Sequence, residues 1–363
     1  MWTHIPPRAP IPESDPVATD PRDVYSAITA NLTGASMPSL SMQETAVLGV
    51  NAFVLENELV RSVLVPGFGA RVLSLIYKPT ETEFAWHSPN VSVGKSGGGL
   101  ENVSGFFDCI PTCDPCTFKG KSLPGFGEVS SKPWRVVRAE ESTSSVNVSM
   151  EAKCEIYPLV IRKEVSLAKN RPVLVLRYEI RNTSEESLEY HYSGHNTLNV
   201  SPHHRIVLPQ EVTKLRLGYT GRLGRMGDHV TWPVAVDDKG KKLDISRIGG
   251  PSEGTMENLY TPRLNQRWCA AVNEARKEAI GFTWEGDALR YLNVCTNNGG
   301  WNDYYFAALE PVTGRPDNLE VAVNQWKDAA VLAPHERTAW TVRIILAHDV
   351  KRVERIEDDG FVQ

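Results

Sequence analysis

Two side chains in this sequence have the chemistry of a proton-transfer pair. Glu310 ends an apolar, aromatic-rich run, Tyr304-Tyr305-Phe306-Ala307-Ala308-Leu309, and Pro311, Gly314 and Pro316 follow it. The run reads as a buried strand and the Pro/Gly cluster as the loop that leaves it. A carboxylate at that junction is partly desolvated and held on rigid backbone, which raises its pKa and suits it to proton abstraction. The competing reading is a loop cap, or an ion pair with Arg315. His195 lies in Tyr190-His191-Tyr192-Ser193-Gly194-His195-Asn196. On a strand, His191 and His195 share a face, because side chains alternate with a period of two. An imidazole titrates near neutrality and can shuttle a proton. The competing reading is a core or surface histidine bonded to backbone, with His191 as a neighbour lining the cleft.

Cysteine spacing raises the question of a metal. Cys113-Asp114-Pro115-Cys116, with Cys109 nearby, could chelate one side of a tetrahedral zinc. No second Cys-x-x-Cys or His pair with finger spacing follows, so zinc is not expected there. A His/His/Glu metal set remains open. Six cysteines in 363 residues do not make a disulfide framework, and reduced, mostly buried thiols are expected.

Other residues could line a cleft. His87, in Phe84-Ala85-Trp86-His87-Ser88, follows a strand and could reach a rim. Trp134, Trp284 and Trp301 are candidate stacking faces, although most tryptophans pack in cores. Asn297-Asn298-Gly299-Gly300-Trp301-Asn302-Asp303 is a polar loop just ahead of the Glu310 strand, suited to a rim. Arg315 could hold an anionic substituent or pair with Asp317.

The elements that must position these groups are strands. Residues 1 to 19 carry Pro6, Pro7, Pro10, Pro12 and Pro16 and read as an extended arm. Asp20 looks like an N-cap, with Pro21 at the first helical position and Gly34 as a stop. Residues 35 to 46 read as linker, so residues 1–47 form an arm with a short helix. From residue 48 the period becomes two. Val63 and Val65, then residues 72 to 77, flank the turn Pro66-Gly67-Phe68-Gly69. Leu174, Leu176, Tyr178 and Ile180 alternate with polar neighbours, and Tyr157 to Leu167 precedes them across Ala168-Lys169-Asn170-Arg171 as a hairpin. Trp340 to Leu346 gives a late strand. Many strands with polar turns and almost no helix between them predict an antiparallel all-β sandwich over residues 48–347. Residues 348–363 form a charged tail, with one short surface helix expected over 349 to 359.

Composition excludes several classes. Hydrophobic content of 41% and charged content of 23% allow a large core. A net charge of −5 with scattered Lys and Arg offers no field for nucleic acid. No apolar run approaches the ~20 residues that span a bilayer. The first residues lack the basic and apolar regions of a signal peptide, so Asn-x-Ser/Thr triplets at Asn31, Asn102 and Asn147 carry no weight and a cytoplasmic protein is expected.

Four segments, in order, resemble the aldose 1-epimerase (galactose mutarotase-like) superfamily across about residues 48 to 347. Leu309-Glu310-Pro311-Val312-Thr313-Gly314-Arg315-Pro316-Asp317 is similar to its closing segment. Val65-Pro66-Gly67-Phe68-Gly69-Ala70-Arg71-Val72-Leu73-Ser74-Leu75 resembles its N-terminal strand pair. Leu123-Pro124-Gly125-Phe126-Gly127-Glu128, with Lys132-Pro133-Trp134 after it, is similar to its His-Gly segment and the Trp strand beyond. Tyr192-Ser193-Gly194-His195-Asn196 resembles the segment with its histidine acid.

The resemblance implies an all-β galactose mutarotase-like β-supersandwich. It implies an isomerase that interconverts sugar anomers on a small-molecule carbohydrate, with Glu310 as base and His195 as acid. That reaction needs no metal, nucleotide or redox cofactor. Arg71 matches a family arginine and reads as structural. Asp108 matches a recurrent acid that either holds a sugar hydroxyl or caps a turn. The departure is Phe126, where many relatives have a sugar-contacting histidine. A phenyl ring can stack on a pyranose but cannot move a proton. Either His195 works alone, or His87 or Glu128 fills the gap, or the chain is a catalytically silent carbohydrate-binding protein. A lyase or metal-dependent isomerase on the same sandwich is the remaining alternative.

Overall fold

The computed structural model describes residues 39–47, 49–89, 104–358 and 360–362. The expected helix after Asp20 lies outside these residues. Alternation builds the sheets as the sequence pattern requires. In the hairpin Leu159–Ala168 and Val173–Asn182, Ile161 pairs with Ile180 and Leu167 with Leu174, all buried. On the wet face of the same hairpin Glu164 pairs with Arg177 at 2.9 Å.

Among the described residues the strands gather into a 12-stranded sheet, an 8-stranded sheet and four two-stranded ribbons, with antiparallel pairing throughout. The larger sheet starts at the edge strand Leu40–Val47 and continues through Val50–Asn57, Val60–Val65, Arg71–Tyr77 and Phe106–Cys109. Its middle is Ser193–Leu198, Tyr305–Val312, Tyr291–Asn298 and Thr255–Tyr260. The Arg71 strand is entered through a tight turn at Pro66–Phe68. There Gly69 has φ +76°, and a Cβ on it would lie 2.0 Å from the Ser130 carbonyl oxygen.

Period-two alternation gives each middle strand two apolar but different faces. On Tyr305–Val312, Ala307 and Leu309 join the core between the two large sheets, as do Leu292 and Val294 of the neighbouring strand. That interface is closed by aromatic contacts such as Phe106 against Phe282, with ring centroids 6.3 Å apart. Each such side chain, fully buried, contributes about 1.5–3 kcal/mol. One polar device sits in this core. Lys163 Nζ lies 2.9 Å from Asp108 Oδ2, each side chain 1% exposed, and Tyr192 Oη donates to Asp108 Oδ1 at 2.7 Å. The opposite faces of the middle strands, the even positions of Tyr305–Val312 among them, hold the residues of interest below.

Two expectations need correction. Part of the stretch read as linker is the strand Leu40–Val47, paired to Val50–Asn57 from Leu40↔Asn57 to Val47↔Val50. It is a sheet edge with most of its side chains part-exposed, so its hydrophobic pattern is weak. The tail also contains a ribbon, Arg355–Glu357 with Gly360–Val362, where a surface helix was expected. Ile356 turns into the core between charged Arg355 and Glu357, which is a strand's alternation in a segment too short to show it.

Candidate active site

Register brings the proton-transfer pair together. Phe106–Cys109, Ser193–Leu198 and Tyr305–Val312 are consecutive neighbours, with His195 opposite Phe107 and Ser193 opposite Cys109 and Val312. Phe107, Ser193, His195 and Glu310 therefore point to the face away from the sandwich core. His195 Nε2 lies 3.9 Å from Glu310 Oε1. The Ser193 hydroxyl donates to Glu310 Oε2 at 2.6 Å. Glu310 is not at a strand exit. The strand runs on through Pro311 to Val312, and Glu310 is 2% exposed. Leaving the core does not need the strand to end here, because an even position already faces away from it.

Environment separates the protonation states. Burial, then the neighbouring Asp317 and Asp114 carboxylates, push Glu310 well above the usual carboxylate range, against the pull of the Ser193 hydrogen bond. Burial would also raise Asp317, but the His191 contact, the Tyr260 hydroxyl and the Asn258 amide outweigh it and hold Asp317 low. Desolvation lowers His195 to about 4, with Asp317 opposing and the Arg71 guanidinium assisting. The Arg71 effect has a visible geometry. Its Cζ sits 4.3 Å from the Phe107 ring centre, and Phe107 stacks on His195 at 4.5 Å and 18°. Glu310 is thus pushed toward its protonated form, His195 toward its neutral form and Asp317 toward its ionised form, a division typical of acid/base sites.

Asp317 ties the site together from the loop after the strand. Its Oδ2 accepts from Asn258 Nδ2 at 3.2 Å and Asn293 Nδ2 at 3.3 Å. Its carbonyl accepts from the backbone of Cys113 at 2.9 Å and Asp114 at 3.2 Å, which docks the loop 112–114 against the sheet. Asp114 is part-exposed. Desolvation, then Asp317, push it up to about 7, and Tyr219 Oη donates to it at 3.3 Å. Cys113 Sγ, one Glu310 oxygen and one Asp317 oxygen all lie within 4.8 Å of one another. Sequence reasoning missed Asp317, Ser193, Asn258 and Asn293. Ser193 and Asp317 lay within resembling segments, Ser193 two residues before His195 and Asp317 at the end of the segment that begins at Leu309, and Asn258 and Asn293 had no local signal.

The remaining expected residues divide. Phe126 stands over the pair, its ring edge-on to His195 at 5.5 Å and to Phe107 at 5.7 Å, on backbone with φ +59°. Trp301 is part-exposed at the end of the same apolar patch, against Tyr304. His191 is fully buried, with Nε2 3.4 Å from Asp317 Oδ1 and no aligned hydrogen bond at either ring nitrogen. It does not share a strand with His195, because Leu188–Tyr190 ends before it and Ser193–Leu198 begins after it.

Four others are committed elsewhere. Glu128 accepts from the backbone amides of Glu155, Ile156 and Tyr157 at 2.7–2.9 Å. Asp108 faces the sandwich core with Lys163, being next in sequence to Phe107 and so on the other face. Arg315 pairs with Asp328 at 2.6 Å, not with Asp317, and donates to the Thr261 carbonyl. His87 Nε2 lies 2.9 Å from the Leu73 carbonyl. Trp134 and Trp284 pack in the sandwich core and donate to the Val129 and Leu289 carbonyls, so neither offers a stacking face.

No family model and no curated protein matches this sequence. Solved structures do match its shape. A galactose mutarotase-like protein from Clostridium acetobutylicum superposes with TM-score 0.61 at 12% identity, covering 85% of this chain and 99% of that one. A galactose mutarotase-like protein from Lactobacillus casei ATCC 334 gives 0.59 at 16%, covering 82% and 100%. A galactose mutarotase related enzyme from Lactobacillus acidophilus gives 0.59 at 14%, covering 84% and 99%. At these identities the likeness establishes the fold, a galactose mutarotase-like β-sandwich, and nothing finer.

Proposed function

We propose that this chain interconverts sugar anomers by acid/base ring opening, with Glu310 and His195 as the catalytic pair. The observation that carries the reading is the pair itself: an imidazole nitrogen 3.9 Å from a carboxyl oxygen, with burial pushing the carboxyl up and the imidazole down. A cyclic hemiacetal carries its ring oxygen and its anomeric hydroxyl on the same carbon, so its acid and base must lie side by side. One group takes the hydroxyl proton while the other protonates the ring oxygen. The C–O ring bond breaks, the carbonyl end rotates, and closure reverses both transfers. The pair needs only one proton between its members. Burial pushes Glu310 toward its protonated form and His195 toward its neutral form, which favours the carboxyl as donor and His195 as acceptor, the reverse of the roles the resemblance implies. The shape shared with galactose mutarotase-like proteins supports the substrate class.

The orphaned acceptor oxygens of Asn258, Asn293 and Asp317 suit a ligand that brings hydroxyl donors. Exchange NMR or polarimetry on a panel of aldoses, acidic and phosphorylated ones included, tests the reading. Accelerated anomer exchange, lost in Glu310→Gln, is the expected result. Phe126, edge-on to His195, favours a second reading in which sugar binds without turnover. Binding of a sugar whose exchange is never accelerated would select it.

A further inference from the structure

We propose that Cys113, Glu310 and Asp317 form a binding site for a borderline-soft divalent cation, with Zn²⁺ as the ion their donor set fits. The three side chains converge from different parts of the chain: the loop after Phe106–Cys109, the middle of Tyr305–Val312, and the loop beyond it. Each is more than nine-tenths buried. Their donor atoms lie within 4.8 Å of one another. A tetrahedral ion with bonds of ~2.0–2.3 Å has ligand edges of roughly 3.3–3.7 Å, so modest side-chain rotation closes the set. A thiolate with two carboxylates is a zinc-type combination, since hard ions such as Mg²⁺ avoid sulfur. Three protein ligands with a fourth position left over is the arrangement of an open rather than a structural zinc site.

Surrounding contacts support the two carboxylates from behind. Ser193 holds one Glu310 oxygen and leaves Oε1 turned toward His195. Asn258 and Asn293 hold Asp317 Oδ2, while Oδ1 is buried with only the His191 ring facing it. Such outer contacts orient metal ligands. The independent pointer to a ligand is His191. It is 0% exposed, lacks a hydrogen bond at both ring nitrogens, and aims Nε2 at Asp317 Oδ1 from 3.4 Å. It is placed to orient that carboxylate. On binding, Zn²⁺ displaces the Cys113 thiol proton and the Glu310 carboxyl proton, and both leave to solvent.

The inference does not depend on anomer interconversion, but it bears on it, because a coordinated Glu310 cannot transfer protons. The test uses the purified full chain and metal alone. Titration calorimetry with Zn²⁺, and dialysis followed by metal analysis, should give one ion per chain, with at least tenfold weaker binding in Cys113→Ser and Asp317→Asn. Co²⁺ added to the wild type should give a thiolate-to-cobalt charge-transfer band in the near ultraviolet, absent from Cys113→Ser. That spectrum decides the matter even if Asp317→Asn fails to fold. No stoichiometric zinc, no thiolate band, or wild-type affinity in Cys113→Ser would each overturn the proposal. Anomer exchange assayed with a chelator present reports on the catalytic reading separately, and added Zn²⁺ should suppress it.

Discussion

Glu310→Gln tests geometry and protonation together. Glutamine keeps the shape and still accepts the Ser193 hydrogen bond, now 2.6 Å long, so no cavity opens. It cannot carry the exchanging proton, and losing a general acid or base typically costs ~10²- to 10⁴-fold in rate. That corresponds to about 2.7–5.5 kcal/mol of barrier. The same substitution has a stability signature. The folded-state pKa of Glu310 is raised, so its favourable contribution is complete below the unfolded value of ~4.3 and is lost as pH rises through the folded value. Glutamine does not titrate. The variant should match the wild type near pH 4 and become the more stable of the two as pH rises, by about 1.4 kcal/mol for each unit separating the two pKa values. Urea unfolding across pH 4 to 9 and exchange NMR at neutral pH measure both effects. Superimposable stability profiles would refute the raised Glu310 pKa, and undiminished exchange would sink the mechanism.

Three further outcomes follow from the same structure. His195 should titrate with a midpoint near 4 by NMR, and a midpoint near the ordinary ~6.5 would show that the ring is not desolvated as described. Because that pKa is lowered, its contribution to stability is present above ~6.5 and fades as pH falls toward 4. Lys163→Met leaves the Asp108 carboxylate buried without its cation and should cost roughly 3–5 kcal/mol in denaturant unfolding, with part recovered by adding Asp108→Asn. A neutral result would return Asp108 to the list of ligand contacts. Phe126→His places an imidazole edge-on to His195 on backbone that histidine tolerates, and should not reduce anomer exchange. A large loss would mean that the phenyl ring itself holds the sugar.

The strands and their faces were legible in the sequence because alternation is local. The hairpin across residues 168 to 171 and the turn at Gly69 needed only neighbouring residues to identify them. Glu310 and His195 were legible for the same reason, each sitting within a readable motif. The role of Asp317 was not. It comes from Asn258, Asn293 and His191, which lie between 24 and 126 positions away in the chain and meet Asp317 only through sheet register and a returning loop. Glu128 shows the converse error. Its motif looked functional, but its carboxylate serves three backbone amides around residue 156, a destination that nothing near residue 128 announces. The edge strand Leu40–Val47 was missed because half-exposed strands blur the very periodicity by which strands are found.

Glu310 and His195 sit in mid-sheet, each on a strand flanked on both sides by others. Backbone at such a position opens only with the whole domain. The arrangement of the proposed pair therefore has no local hinge to tune, and it is lost only when the sheet itself opens. Adaptation to new ligands is left to what the sheet merely carries: the loop with Asp114, the turn bearing Phe126 and the bend at Trp301. Changes there reach the Glu310–His195 pair through the Asp114 carboxylate near Glu310 and the Phe126 ring against His195.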